Sequence, residues 1–341
     1  MGVNLRDIIP KEEIEIENLA GKKISIDAFN ILYQFLSSIR QYDGTPLKDS
    51  KGRITSHISG LFYRTVNFVE AGIKPCFVFD GKAPEFKKAT REERISRKEI
   101  AQEKYDKAEK EGDLERMKIY AQQLSRLTGD MIEESKELLD AMGLPYVQAP
   151  SEGEAQASDM VKQGMVYASS SQDYDSLLFG SGKLIRNLAI SGRKKLPGKQ
   201  AYMTVNPEFI DLKKVHEELK INQEQLILLG MLVGTDYNPG GVKGIGPKTA
   251  LAMVKKYPTF ELLVEQIDWD FENKPLEIFN FFKNPPVKEV TNITWKEPDS
   301  EKIKKILCDN HDFGIERVEK AIERISSSNK KGIQSNLFSF K

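Results

Sequence analysis

The chain has 341 residues, 51 basic and 51 acidic side chains, and no formal net charge. Hydrophobic residues make up 39%, enough for a sizeable core, and charged residues 30%, above the roughly 25% of an average domain. The longest apolar run, Leu226 to Val233, is too short to span a bilayer. No leader pattern opens the chain. Arg6 stands where a myristoylation site needs Ser or Thr. Two cysteines, Cys76 and Cys308, supply neither a disulfide framework nor zinc spacing. The expectation is an intracellular protein of about two domains at ~150 residues each. A neutral total does not exclude a nucleic-acid binder, because a pit of carboxylates would cancel basic surfaces elsewhere.

Three short runs rich in β-branched and aromatic residues read as buried strands, and each ends on acid: Lys23 to Asp27, Pro75 to Asp80, and Val166 to Asp173, with Asp175 just beyond. Helical patterns lie between them, at 31–40, 56–71, 132–142 and 152–163. This alternation predicts an α/β fold, a mostly parallel central sheet flanked by helices. Ligands bind beyond the carboxyl ends of such strands, so acids far apart in sequence are expected to meet at one sheet edge. Residues 82–130 interrupt the pattern with a charged helical insertion, broken at Gly112-Asp113. The expected divisions are an α/β core at 1–235 with that insertion, a helical region at 236–325, and a flexible tail at 326–341.

Besides Asp27, Asp80, Asp173 and Asp175, Ser151-Glu152-Gly153-Glu154 opens a helix. Alone it reads as a capping box, and acids ending strands alone read as caps for the next helix. Together they pose an electrostatic problem. Two like charges about 4 Å apart repel by roughly 4 kcal/mol at an effective dielectric of 20. Such a set must take up protons or bind cations. Oxygen ligands select Mg²⁺ or Mn²⁺, and two such ions activate water and stabilise the leaving oxygen of a phosphodiester. His57, His216 and His311 lie away from these motifs in sequence, so a histidine base is not expected.

In the insertion Lys87, Arg91, Arg94 and Lys98 are spaced 4, 3 and 4 residues apart, one helical face. Six bases and two acids lie between Lys87 and Lys98. A charge run is commonly just a solvated face; its place after Asp80 favours a grip on phosphate. The run Gly240 to Ala250 holds Gly244, Gly246, Lys248 and Thr249 just before a helix. Glycines let the backbone approach a phosphate, and helix N–H groups bind it. A plain turn between helices fits this spacing too. The tail carries Gln334, Leu337, Phe338 and Phe340, apolar residues that suit docking onto a partner as well as fraying.

The assembled motifs resemble those of flap endonucleases, members of the structure-specific 5′ nuclease family, over nearly the whole chain. The most specific are Asp27-Ala28, Phe79-Asp80-Gly81-Lys82, Ala149 to Gln156, Ser171 to Asp175, and Gly234-Thr-Asp236-Tyr237 through Lys248. The resemblance implies a Mg²⁺-dependent 5′ flap endonuclease and 5′ exonuclease of replication and repair, Okazaki-fragment maturation included. Asp27, Asp80, Glu152, Glu154, Asp173, Asp175 and Asp236 would bind two divalent metals. Lys87 and Arg94 correspond to catalytic bases on a helical arch, with Arg91 and Lys98 beside them. Tyr33 corresponds to a base-stacking aromatic, and Gly2 to a residue beside the site. The glycine loop corresponds to a helix–two-turn–helix that grips duplex DNA with a monovalent cation. The tail resembles a sliding-clamp-binding box, departing from it at Lys341, where an aromatic is usual. A monomer from an archaeal source is implied, in the cytoplasm, or in the nucleus if the source is eukaryotic. A Holliday-junction or bubble nuclease of the same superfamily, a haloacid-dehalogenase-type phosphatase using Asp173-Tyr-Asp175, and a non-catalytic DNA or clamp adaptor are the alternatives.

Overall fold

The computed structural model describes the backbone of residues 2–338 except 43, 191 and 196–201; side chains at 88–94, 114, 193–195, 202–203 and 329–338 also lie outside the described set. A short β1 (Glu12–Glu13) precedes β2 (Lys23–Asp27), where Ile24, Ser25 and Ile26 are all buried, as a strand covered on both faces requires. Helices α1 (Ala28–Ser38) and α2 (Ser56–Glu70) lead to β3 (Lys74–Phe79). The insertion follows as α3 (Lys88–Glu111) and α4 (Leu114–Gln123). Gly112, at φ 67°, ends α3, and the Asp113 carboxylate caps α4, so the break falls where the sequence places it. Next come α5 (Gly129–Ala141), β4 (Tyr146–Gln148), α6 (Gly153–Lys162), β5 (Ala168–Ser170), α7 (Asp175–Leu178) and β6 (Lys183–Arg186). Strands β7 (Gly192–Lys195) and β8 (Tyr202–Val205) pair with each other, and β9 (Glu208–Asp211) rejoins the main sheet.

Among the described residues the main sheet has seven strands in the order β1-β9-β6-β5-β2-β3-β4. The five from β6 to β4 run parallel; β9 and β1 extend one edge antiparallel. The chain fills one side of β2 with β3 and β4, then crosses to lay β5 and β6 on the other. Strand order therefore reverses at β2 and β5, the kind of switch point beyond which α/β sheets bind ligands.

The rest is helical: α8 (Leu212–Leu219), α9 (Gln223–Val233), α10 (Pro247–Lys256), α11 (Phe260–Val264), α12 (Pro275–Lys283), α13 (Ser300–Lys304) and α14 (Ile315–Phe338). One apolar cluster joins Leu61, Phe62 and Phe77 to Ile306, Val318 and Ile322, so the end of the chain packs on its beginning. A second joins Leu177, Leu228, Val254 and Phe282, seating α9, α10 and α12 on α7. α14 keeps its helical backbone past Ser326 to Phe338, where a loose polar tail was expected. No helix among the described residues is long and apolar enough to cross a membrane.

Candidate active site

Backbone N–H groups orient three of the acids. Asp27 ends β2 and accepts a hydrogen bond from the Asn30 N–H at 3.0 Å, capping α1. Asp80 follows β3 and accepts from the Gly153 N–H, at the start of α6, at 2.6 Å. Asp175 opens α7 and accepts from the Val3 N–H at 2.8 Å. A carboxylate has about four acceptor positions, so capping and a further role are compatible. The ordinary reading of strand-end acids is thus true of Asp27 without exhausting it.

The capping box expected from Ser151 and Glu154 does not form. The N-cap of α6 is Glu152, with no side-chain cap bond. Asp80 supplies the anion at that helix start instead, which frees both glutamates. Glu152 accepts from the Lys87 Nζ at 3.0 and 2.9 Å through its two oxygens, and Glu154 accepts from the Ser176 Oγ at 3.2 Å. Lys87 also lies 3.3 Å from Asp236, which follows the end of α9.

Four of the groups here, Asp27, Glu154, Asp175 and Lys87, are strongly perturbed. Burial, then the neighbouring Asp80, pushes the Asp27 carboxyl well above its usual range. Burial and Asp175 do the same to Glu154. Asp175 is pushed up to about 7 by burial and by Asp173 and Asp236. Burial works to lower the Lys87 pKa, but Glu152 and Asp236 overcome it and hold the ammonium protonated. The acids therefore sense one another across five separate chain regions. Among the described residues no three His, Cys, Asp or Glu side chains stand close enough together to hold a metal ion; the Lys87 ammonium is bonded to Glu152 between them. The donors are all hard oxygens, and their mutual repulsion calls for positive charge. That chemistry fits divalent cations such as Mg²⁺.

Close packing keeps the acids in place. A Cβ on Gly153 would lie 2.7 Å from Asp80 Oδ1, and one on Gly2 would lie 2.5 Å from the Asp173 Cβ and 2.8 Å from Asp175 Oδ2. Gly2 thus sits against Asp173 and Asp175. Gln148 on β4 donates to the Asp80 carbonyl at 2.6 Å; its polar side chain on a three-residue strand gives the sequence no signal for this support. The strand expected at 166–173 is shorter, because the chain turns at Ser171, whose Oγ accepts from the Asp173 N–H at 3.2 Å.

Lys87 differs from its expected place on the α3 face. It ends a short 3₁₀ turn, Glu85–Lys87, before α3, and its side chain enters the pit. Lys98 lies on α3 and is half-buried. Arg91 and Arg94 are on the α3 backbone, and their side chains lie outside the described residues. Tyr33, on α1, is 40% exposed. Gly244 has φ 79°, a left-handed conformation that favours glycine, and Gly246 is the N-cap of α10 with Pro247 next to it. Lys248 and Thr249 are exposed on the first turn of α10. Gln334, Leu337 and Phe338 have helical backbone; their side chains, and Phe340 and Lys341 altogether, lie outside the described residues.

Two polar features lie elsewhere. A hollow of about 460 Å³ along α5, lined by Glu133, Glu134, Lys136 and Tyr146 among others, contains none of the acidic set. His57 and His311 meet at Glu134 rather than in the pit.

Two family models match in chain order: the XPG N-terminal domain over residues 1–101 and the XPG I-region over 143–236. The chain is 56% identical to flap endonuclease 1 of Pyrococcus furiosus, an alignment covering 100% of this chain and 99% of the relative. Its fold matches the structure of flap endonuclease 1 of Methanococcus jannaschii at TM-score 0.75 and 43% identity, covering 97% of this chain and 100% of that one. The catalytic core of Rad2 in complex with DNA substrate shares the fold at TM-score 0.71 and 24% identity, covering 95% and 100%. With full-length identity of this order, both XPG regions in sequence and the same architecture, the chain belongs to the flap endonuclease 1 family.

Proposed function

We propose that the carboxylate pit hydrolyses DNA phosphodiesters near the junction of a 5′ flap, with two Mg²⁺ ions held by Asp27, Asp80, Glu152, Glu154, Asp173, Asp175 and Asp236; Mn²⁺ would substitute. Membership in the family makes the chain a structure-specific 5′ flap endonuclease of DNA replication and repair. The observation that supports the residue assignment is the convergence of acids from distant segments near the sheet's switch point, where they perturb one another and where Lys87 pairs with Glu152 and Asp236. Bound divalent cations supply an activated water and neutralise charge on the leaving oxygen.

The chain's own groups do the positioning. The Asn30, Gly153 and Val3 N–H groups hold Asp27, Asp80 and Asp175 in fixed orientations. Lys87 keeps its charge at neutral pH, and a scissile phosphate is an anion able to compete with Glu152 and Asp236 for it. Arg94, with Arg91 and Lys98 nearby on α3, supplies further cationic grip where a single strand approaches. Tyr33 offers an exposed ring on which a base can stack. Gly244, Gly246, Lys248 and Thr249 hold the duplex backbone, with a monovalent cation at that loop. Gln334, Leu337, Phe338 and Phe340 form the segment that docks on a sliding clamp. The nuclease core at 1–235, the helical region at 236–325 and the tail are the corresponding working divisions.

The test is substrate choice. With Mg²⁺, a 5′-flap duplex should be cut near its junction in strong preference to a blunt duplex of the same sequence or a four-way junction. Equal cutting of the four-way junction would move the chain's role to junction resolution.

A further inference from the structure

The cationic arm and the last acid of the pit come from distant segments. Lys87 sits at the end of the 3₁₀ turn Glu85–Lys87, and Asp236 in the loop after α9. Their side chains lie 3.3 Å apart. Neither backbone segment belongs to the sheet, so something else must set that distance.

Asn273, in the loop before α12, bridges both. Its Nδ2 donates to the Phe86 carbonyl at 2.7 Å and to the Tyr237 carbonyl at 2.6 Å. An amide NH₂ has two N–H donors, and both are used. The Phe86 carbonyl lies in the same planar peptide unit as the Lys87 nitrogen, so holding it also holds the start of Lys87. Tyr237 directly follows Asp236. The rings reinforce the clasp: Phe86 packs edge-on against Tyr237 and Phe281, each at 5.1 Å between centroids. The Lys87 Nζ lies 5.8 Å from the centre of the Tyr237 ring. The Asn273 backbone is tied independently, its carbonyl accepting from the Trp269 Nε1 at 2.8 Å. Shortening the side chain therefore leaves the loop its own anchor.

We infer that Asn273 is a positioning residue for DNA cutting, its side-chain amide fixing Lys87 and Asp236 relative to each other. This rests on the assignment of the pit as the nuclease site. Asn273 acts through Lys87 and touches no reacting atom. Asn273→Ala removes the clasp; Asn273→Asp keeps the shape but sets a carboxylate against two carbonyls.

The experiment compares wild type, N273A, N273D, K87A and the K87A/N273A double variant on a 5′-flap DNA with Mg²⁺ under single-turnover conditions. Flap affinity in EDTA, thermal midpoint and amide hydrogen exchange of the metal-free proteins are followed in parallel. Misplacement on the ångström scale costs about 10- to 100-fold in rate, and that is the loss expected of N273A, with N273D slower still. Affinity should stay within about twofold, and exchange should rise at residues 85–87 and 236–238. The double variant should be no slower than K87A, because coupled groups are non-additive. Losses that multiply in the double variant, N273D cutting like wild type, or a rate loss explained by a fall in folded fraction would overturn the inference. An inert wild type would overturn the nuclease assignment and this inference with it, whereas an active wild type matched by N273A would overturn the clasp alone.

Discussion

Gly153 shows how narrowly the acids are held. Its N–H binds Asp80 Oδ1 at 2.6 Å, and any Cβ there would lie 2.7 Å from the same oxygen. Alanine is a better helix former than glycine by about 1 kcal/mol, so Gly153→Ala should leave the thermal midpoint unchanged or raised. It should also push Asp80 aside and slow cutting by about 10- to 100-fold. A thermal melt beside a single-turnover assay checks both halves, and unchanged cutting would show that the Asp80 position is not critical. The acids themselves were legible in the sequence because strands in a parallel sheet deliver their ends to one edge. Which bland reading each would satisfy was not. Asp27 does cap its helix, while Ser151 and Glu154 form no box because Asp80, far away in sequence, takes the helix start. Asn273 was invisible for the same reason: nothing near it in sequence says that two carbonyls await its amide.

At the scale of elements, the glycine loop and α10 present Lys248 and Thr249 to solvent. If this end of α10 holds a phosphate, Lys248→Ala should weaken duplex binding across sequences and lower the salt slope by about 1. An unchanged slope in binding titrations would make the loop a turn only. A separate polar knot joins the loop at 49–53, α2, α5 and the segment before α14. His311 faces Asp49 at 3.1 Å and Glu134 at 3.5 Å, His57 faces Glu134 at 3.1 Å, and Arg53 pairs with Asp49. Burial works to raise the Glu134 carboxyl, but its hydrogen bonds with His311 and His57 win and hold it at about 2, against an ordinary 4.5. The Glu134 bond raises His311 above its ordinary 6.5. The depressed acid stabilises the fold above pH 4.5, and this is lost as pH falls toward 2; the raised histidine stabilises it below 6.5, and this is lost as pH climbs through its folded value. Glu134→Gln should therefore cost most between those limits, about 1.5–3 kcal/mol for a charged hydrogen bond. Denaturant melts at pH 5.5 and 9 would show it, and a cost independent of pH would contradict the ion-pair account.

Across the whole molecule, the periodicities of strand and helix were enough to expect the parallel sheet, the insertion after Asp80 and its break at Gly112. The strands they did not reveal are β1, β4, β6, β7, β8 and β9, of two to four residues each, too short for a period to register. The return of α13 and α14 to the first apolar cluster was equally hidden, since amphipathic spacing names a buried face without naming what covers it. The resulting architecture explains a neutral chain that handles DNA: acids gather at the switch point, and bases are distributed over the insertion and the region around α10. The central claim is that this acidic pit, loaded with divalent cations, is what cuts the flap. Its most direct test is a 5′-labelled double-flap DNA incubated with the wild type in Mg²⁺, with the wild type in EDTA, and with Asp175→Ala in Mg²⁺. The account predicts a short labelled product in the first reaction alone, with the variant still binding the duplex. A product in EDTA, or undiminished cutting by the variant, would contradict it.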